Sequence, residues 1–284
     1  MRSNEELIYD GDGERLDVFL TKYFEGEHTR SQIAKAIKDG QVTVNGTSVK
    51  AGYILEEGDA ITSYFSLLPS HFPAQPENIP IDIVYEDEHL MIINKPTGMV
   101  VHPGNGNRSG TLLNALLHYG NDKLERAGIV HRLDKNTAGL MVVAKTASVQ
   151  AKLSAMFETK QVKRTYIGLV EGVLHGSGTI NKNIVRHPKI RTIFTTAEKG
   201  GRTAVTHYRV LENRPKTTLV EFQLETGRTH QIRVHAKSIG HPLVGDPEYN
   251  PKGGKGQELR SVAIEFVHPV SGELVAHEFF RTSS

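Results

Sequence analysis

The spacing of apolar residues changes character near residue 64. Between residues 14 and 24, Leu16, Phe19, Leu20 and Tyr23 recur at i, i+3, i+4 and i+7, one face of an amphipathic helix. A second helix is predicted behind Thr29 or Ser31 as N-cap, with Ile33 and Ile37 inward and Gly40 as the stop. Val42-Thr43-Val44 reads as a strand turning at Asn45-Gly46, and a Gly58-Asp59 turn leads into Ala60-Ile61. Residues 64–80 hold Pro69, Pro73, Pro76 and Pro80, a density that opposes regular structure. The expected organisation is a small domain over 1–66, a proline-rich linker over 67–80 and a larger domain over 81–284.

In the larger segment, short β-type runs outnumber helical ones. Strands are predicted at Ile83–Tyr85, Leu90–Ile93 and Leu140–Ala144, and again over 192–196, 203–211 and 217–224. A helix capped near Thr111 carries Leu112, Leu113, Leu116 and Leu117. Another is marked by Val149, Leu153, Met156 and Phe157. Thr229 is the expected cap of a third, with Ile232, Ala236 and Ile239 inward and Gly240 ending it. The segment closes in a hairpin over 259–280 that turns near Ser271-Gly272.

Composition narrows the chemistry mainly by exclusion. The chain has 284 residues, 38% hydrophobic and 23% charged, as in ordinary globular proteins. It has no cysteine, which removes disulfides, thiolate nucleophiles and Cys-ligated zinc. No apolar run approaches the roughly 20 residues that span a bilayer, and MRSNEELIYDGDGERLD lacks the apolar core of a signal peptide. A cytoplasmic protein without membrane contact, monomeric by default, is expected. The net charge of only +2 does not by itself indicate nucleic acid. Its distribution does more: residues 28–50, 186–202 and 228–237 are basic islands, the last with Arg228, Arg233, Lys237 and two histidines and no acid. Such islands suit local phosphate contact, and solvated basic loops would look the same.

One stretch stands apart, HRLDKNTAGLMVVAK at 131–145. It sets a charged knot, His131-Arg132-Leu133-Asp134, between the apolar pair Ile129-Val130 and a buried-strand pattern. A carboxylate there is costly to bury unless something pairs with it. Charge pattern alone allows either a structural Arg–Asp pair pinning two strands or an active-site carboxylate presented on a loop. His230 and His235 lie five apart and fit no metal spacing, so they are read as hydrogen-bonding or phosphate-facing groups. The glycine-rich stretch at 98–106 lacks the GKS or GKT ending of a P-loop.

The knot resembles the catalytic motif of the RluA/RluD-type pseudouridine synthases, HRLD-x-x-T-S-G-L, with Ala138 where that pattern has Ser. NKPTGMVVHP (94–103), KRTYIGLVEG (163–172) and GRTHQIRVH (227–235) resemble further motifs of that family in order. ERLDVFL, TRSQIAKAIKDGQVTVNG and EEGDAIT resemble an S4 RNA-binding domain ahead of it. The combination is most similar to the D-type branch that acts on large-subunit ribosomal RNA. The resemblance implies an α+β fold: a mixed, mainly antiparallel catalytic sheet with flanking helices behind a small S4-like α/β domain. It implies Asp134 as the catalytic carboxylate, Arg233 as its partner and Tyr166 against the target base. Arg132, Arg228 and His230 are implied RNA contacts, and Arg30, Lys35 and Lys38 the basic face of the S4-like helix. The apolar residues around Leu140 and Val142 are expected to wall the pocket.

The implied reaction breaks the uridine C1′–N1 bond, turns the base and rejoins it through C5. This is an isomerisation without a redox step, so neither a metal nor a carrier cofactor is expected. The same chemistry on tRNA, or a non-catalytic assembly factor that binds RNA, are the alternatives. Retention of Asp134, Tyr166 and Arg233 together argues against the latter.

Overall fold

The computed structural model describes residues 5–24, 30–63, 74–104, 107, 109–121, 124–190 and 192–279. By its internal contacts the chain divides into two units, Met1–Pro73 and Ala74–Ser284. The Thr29 cap and residues 64–73 lie outside the described residues.

The first unit runs β1 (Glu5–Ile8), α1 (Leu16–Tyr23), α2 (Arg30–Lys38), β2 (Val42–Val44), β3 (Thr47–Ser48) and β4 (Ala60–Ser63). The strands form one antiparallel sheet in the order β1-β4-β2-β3. The helical periodicity is realised as packing: Leu16, Leu20, Ile33 and Ile37 are buried against Val42, Val44 and Ile61. Tyr23, expected on the same face, is 46% exposed at the last turn of α1, with its ring against Phe19 and Phe24. Asn45 and Gly46 take φ of 51° and 73°, the paired left-handed conformation of a tight hairpin turn.

The second unit carries β5 (Ile83–Glu86), β6 (Leu90–Lys95), α3 (Leu112–Leu116), β7 (Ala138–Ala144), α4 (Ala147–Glu158) and β8 (Lys163–Glu171). There follow β9 (Ser177–Asn181), β10 (Asn183–Arg186), β11 (Phe194–Ala197), β12 (Val205–Asn213), β13 (Thr217–Leu224), α5 (Gln231–Ser238), β14 (Leu259–Val267) and β15 (Leu274–Glu278). Its main sheet has the order β5-β6-β7-β14-β8-β13-β12-β9, with β15 added to β14; β10 and β11 form a separate ribbon. All pairings are antiparallel except β7 with β14. The fold is therefore mixed α+β with mainly antiparallel sheets.

Strands β6 and β7 are covered on both faces, which is why they read as unbroken apolar runs. Met91, Ile93, Met141 and Val143 enter the core that contains Tyr166, Phe222 and Ile232. Leu90, Ile92, Leu140 and Val142 enter the opposite core, with Val149, Leu153 and Phe266. This corrects one expectation. Leu140 and Val142 do not wall the reactive pocket, because side chains alternate along a strand and theirs point to the other face. The one parallel contact requires a glycine: Gly139 sits at φ +113°, and a Cβ there would lie 2.0 Å from Ser261 O.

Local signals fare unevenly in this unit. Thr111 caps α3 in a reciprocal box with Asn114, as its position predicts. Thr229 does not cap α5. The N-cap is His230, in a left-handed conformation at φ 57° without a side-chain cap bond. The Gln231 carboxamide instead braces the turn that leads into the helix, accepting from Arg228 N–H at 3.0 Å. Residues 74–80 form no helix or strand but are tied to the unit: Asn114 Nδ2 donates to Gln75 O, and the Glu77 carboxylate accepts from Gly110 N–H.

Candidate active site

Asp134 is presented by anchoring its neighbours. His131 Nε2 accepts from Val142 N–H at 3.0 Å, so the imidazole supplies the partner that β7 lacks on that side. Its ring stacks on Phe157 with centroids 4.5 Å apart. Burial pushes His131 down to about 3, with the Arg164 cation acting in the same direction, so the ring is neutral and free to accept. Leu133 is buried in the core. With residues 131 and 133 turned inward, Arg132 is exposed and the Asp134 side chain faces a cavity of about 440 Å³ with 17% of its surface accessible.

Beneath this loop lies Lys95, at the end of β6 and only 1% exposed. Its ammonium donates to Pro96 O at 2.8 Å, Met99 O at 2.9 Å and Lys135 O at 3.2 Å. Three N–H groups thus meet three carbonyls, one of them on the residue after Asp134. Burial lowers Lys95 to about 8, against the pull of the Asp134 charge.

The facing wall comes from α5 and the loop after it. Arg233 is 4% exposed and forms a bidentate fork with Asp246, Nε to Oδ2 at 2.7 Å and Nη2 to Oδ1 at 2.8 Å. Nη2 also donates to Glu248 at 2.6 Å. Nη1 is left to face Asp134 Oδ2 at 3.4 Å. Asp246 is fully buried and additionally accepts the backbone N–H groups of Glu248 and Tyr249, so its lone pairs are well used. Burial works against the Arg233 charge, but Asp246, Asp134 and Glu248 outweigh it and hold the guanidinium firmly protonated. The Asp134–Arg233 pair expected from resemblance is present as a contact, yet the tighter partner is Asp246.

His230 completes this wall. Nδ1 is 2.8 Å from the Tyr249 hydroxyl, which accepts from Phe194 N–H, and Nε2 is 4.0 Å from Asp134 Oδ2. Burial lowers His230, while the nearby Asp134 charge opposes that shift. His235 has a different place: it is fully buried between the Thr206 hydroxyl and Lys182 O, so it faces no phosphate.

Tyr166 on β8 is 4% exposed and lines the same cavity, with Arg164 and Ser261 as hydrogen-bond neighbours; burial raises its phenol. Asp134, Arg233, Tyr166, Arg132, Arg228 and His230 thus surround one cavity. Arg30, Lys35 and Lys38 belong to the first unit. There Arg30 is bonded to Asp17 at 2.9 Å and Lys35 is paired with Asp39, while Lys38 is exposed. Sequence reasoning missed Asp246, Glu248 and Lys95. Lys95 stood in the NKPTGMVVHP stretch and the two carboxylates in GDPEY, but nothing local ties the lysine to the loop after Asp134 or Asp246 to an arginine thirteen positions away.

A family profile described as RNA pseudouridylate synthase matches residues 89–238, and one described as S4 domain matches residues 14–61. The chain is 44% identical over 274 residues to an uncharacterized RNA pseudouridine synthase, YlyB, of Bacillus subtilis (strain 168), covering 93% of this chain and 89% of that one. It is 42% identical over 278 residues to the ribosomal large subunit pseudouridine synthase D of Escherichia coli (strain K12), covering 92% and 85%. Among solved structures, human RNA pseudouridylate synthase domain containing 1 shares the fold, with a TM-score of 0.59 and 23% identity over 72% of this chain and 84% of that one.

Proposed function

Because the chain belongs to the RNA pseudouridylate synthase family and joins an S4 domain to that region, we propose that it isomerises uridines of large-subunit ribosomal RNA, with Asp134 at the centre of the reaction. The substrate reading is supported by relatives named for the large ribosomal subunit at 41–46% identity. The observation that carries the site assignment is the Asp134–Arg233 contact inside the cavity that Tyr166 lines.

A uridine in a folded RNA must leave its stack to reach such a cavity, at a cost of a few kcal/mol. Tyr166 offers a face on which the extruded uracil stacks, an interaction worth roughly 1–3 kcal/mol. Exposed Arg132, next to Asp134, is placed to fill the vacated position or hold the nucleotide. Asp134 acts on the ribose as an anion, either by attack at C1′ or by removing the C2′ proton. The C1′–N1 bond breaks, the uracil turns within the cavity, and C5 bonds to C1′, displacing the carboxylate on the first route or with the proton returned to C2′ on the second. C5 loses its proton and N1 gains one, so composition is unchanged. Arg233 aims Asp134 while Asp246 and Glu248 hold the guanidinium still, an arrangement that orients the carboxylate before substrate arrives. The apolar walls are Leu133, Ile232, Leu224 and Leu259.

The test is tritium release from unmodified large-subunit ribosomal RNA carrying 5-³H-uridine, with wild type beside Asp134→Asn. Release by wild type alone is expected, with RNA affinity of the variant within a few-fold. Turnover by Asp134→Asn at the wild-type rate would sink the assignment, and wild-type release from tRNA only would replace the substrate.

A further inference from the structure

Side chains two apart on a strand share a face, and β8 uses this to send Arg164 and Tyr166 into the same cavity. The cavity is longer than the catalytic cluster. It continues past Tyr166 to Ser154, Phe157 and Lys160, at and beyond the end of α4. Arg164 lies between the two regions. Its guanidinium carbon is 5.3 Å from the Phe157 ring centroid on one side. On the other it lies against Gly227, where a Cβ would come within 3.0 Å of Nη1. A glycine at 227 therefore leaves the room that the guanidinium occupies.

What marks this cation is its place inside the cavity, half-buried and away from the carboxylates that hold other arginines. Arg15, Arg30, Arg209, Arg214 and Arg233 each have a carboxylate partner, whereas Arg164 has none among the described ion pairs. Glu225, an acid lining the same cavity, is engaged by His207 at 2.7 Å and Lys160 at 3.3 Å; Glu158 is exposed at the rim. Arg164 Nε is buried without a hydrogen-bond partner. A half-buried guanidinium without a carboxylate partner is costly unless an anion completes it, and with Nε enclosed that anion is met by the two Nη groups. A planar fork held between a ring face and a backbone is suited to a phosphate, which it meets bidentately.

We propose that Arg164 seats a phosphodiester of the RNA strand adjoining the uridine in the cavity, with Phe157 and Gly227 holding its plane. The inference rests on the functional reading above and adds a binding site to it. Because Arg164 also neighbours the Tyr166 hydroxyl, an occupied phosphate seat fixes the side chain on which the base stacks. Backbone and base are thereby gripped together, which keeps the nucleotide from slipping while the uracil turns.

The experiment measures binding of an unmodified large-subunit ribosomal RNA transcript across a series of KCl concentrations, for wild type, Arg164→Gln and Arg164→Lys. Each phosphate contact contributes roughly 0.7–0.9 to the slope of log K against log salt. Arg164→Gln is expected to lower the slope by about that amount and weaken low-salt binding about tenfold or more, while Arg164→Lys keeps the slope. A purely packing role would leave the slope of Arg164→Gln at the wild-type value, and that result overturns the proposal. Ethylation interference with the wild-type enzyme needs no variant to fold: a blocked phosphate beside the modified uridine is expected, and its absence overturns the proposal equally. Failure of the wild type to form pseudouridine in this RNA would refute the substrate reading, and the same slope and interference comparisons on the RNA that the enzyme does modify would then decide Arg164.

Discussion

Lys95 supplies the sharpest quantitative test. Its ammonium is buried without a touching carboxylate and spends all three N–H groups on Pro96 O, Met99 O and Lys135 O. A neutral amine has two N–H groups and a lone pair, so one carbonyl must lose its donor. The longest bond, 3.2 Å to Lys135 O, is the one that yields, and that oxygen keeps Gly98 N–H as a second donor. Deprotonation therefore releases the tie between β6 and the residue after Asp134. A hydrogen bond from a charged group is worth about 1.5–3 kcal/mol. If that strain falls on the position of Asp134, the rate drops about 10- to 100-fold. The shift from 10.5 to about 8 fixes the window. The folded state binds fewer protons than the unfolded chain across it, so the roughly 3 kcal/mol cost of burying the charge is present below pH 8 and fades as pH rises toward 10.5. Stability from this group thus increases over the range in which activity is expected to fall. Single-turnover tritium release should decline above about pH 8, without a parallel loss of thermal stability. Lys95→Met should be slow at neutral pH and lack that alkaline limb. A wild-type profile flat to pH of about 9.5, or the same limb in Lys95→Met, would refute the reasoning.

Asp246→Asn leaves the buried Arg233 without its bidentate partner; a loss of about 3–5 kcal/mol in urea unfolding is expected, with kcat reduced because Nη1 no longer holds its aim at Asp134. An unchanged midpoint with full activity would show that Glu248 alone suffices. Gly139→Ala places a Cβ 2.0 Å from Ser261 O at φ +113° and must part β7 from β14. Strain and overpacking together should cost about 2–6 kcal/mol, and wild-type stability by equilibrium denaturation would mean that the two strands have slack.

Much of the fold was legible because the signals were local. Helical spacing placed α1 and α2, Asn45-Gly46 turned the hairpin, and Thr111 capped α3. The errors also have local causes. Thr229 is a good cap by residue type, but the chain enters α5 through a left-handed His230, and no side chain takes the cap position's bond. Strands β9 and β10 were missed because Gly176, Gly178 and the polar residues around them mask their alternation.

What the sequence by itself determined is therefore most of the elements and the knot that carries Asp134, since periodicity, turn chemistry and a charge between apolar runs are short-range properties. Only the tertiary structure decided which groups meet that carboxylate. Arg233 is 99 positions from Asp134, Lys95 reaches Lys135 across 40, and Arg164 finds its place between Phe157 and Gly227. Strand order and the parallel β7–β14 contact create those meetings. Spacing along a chain says which face a residue takes, but only the packing of distant segments says what stands opposite it.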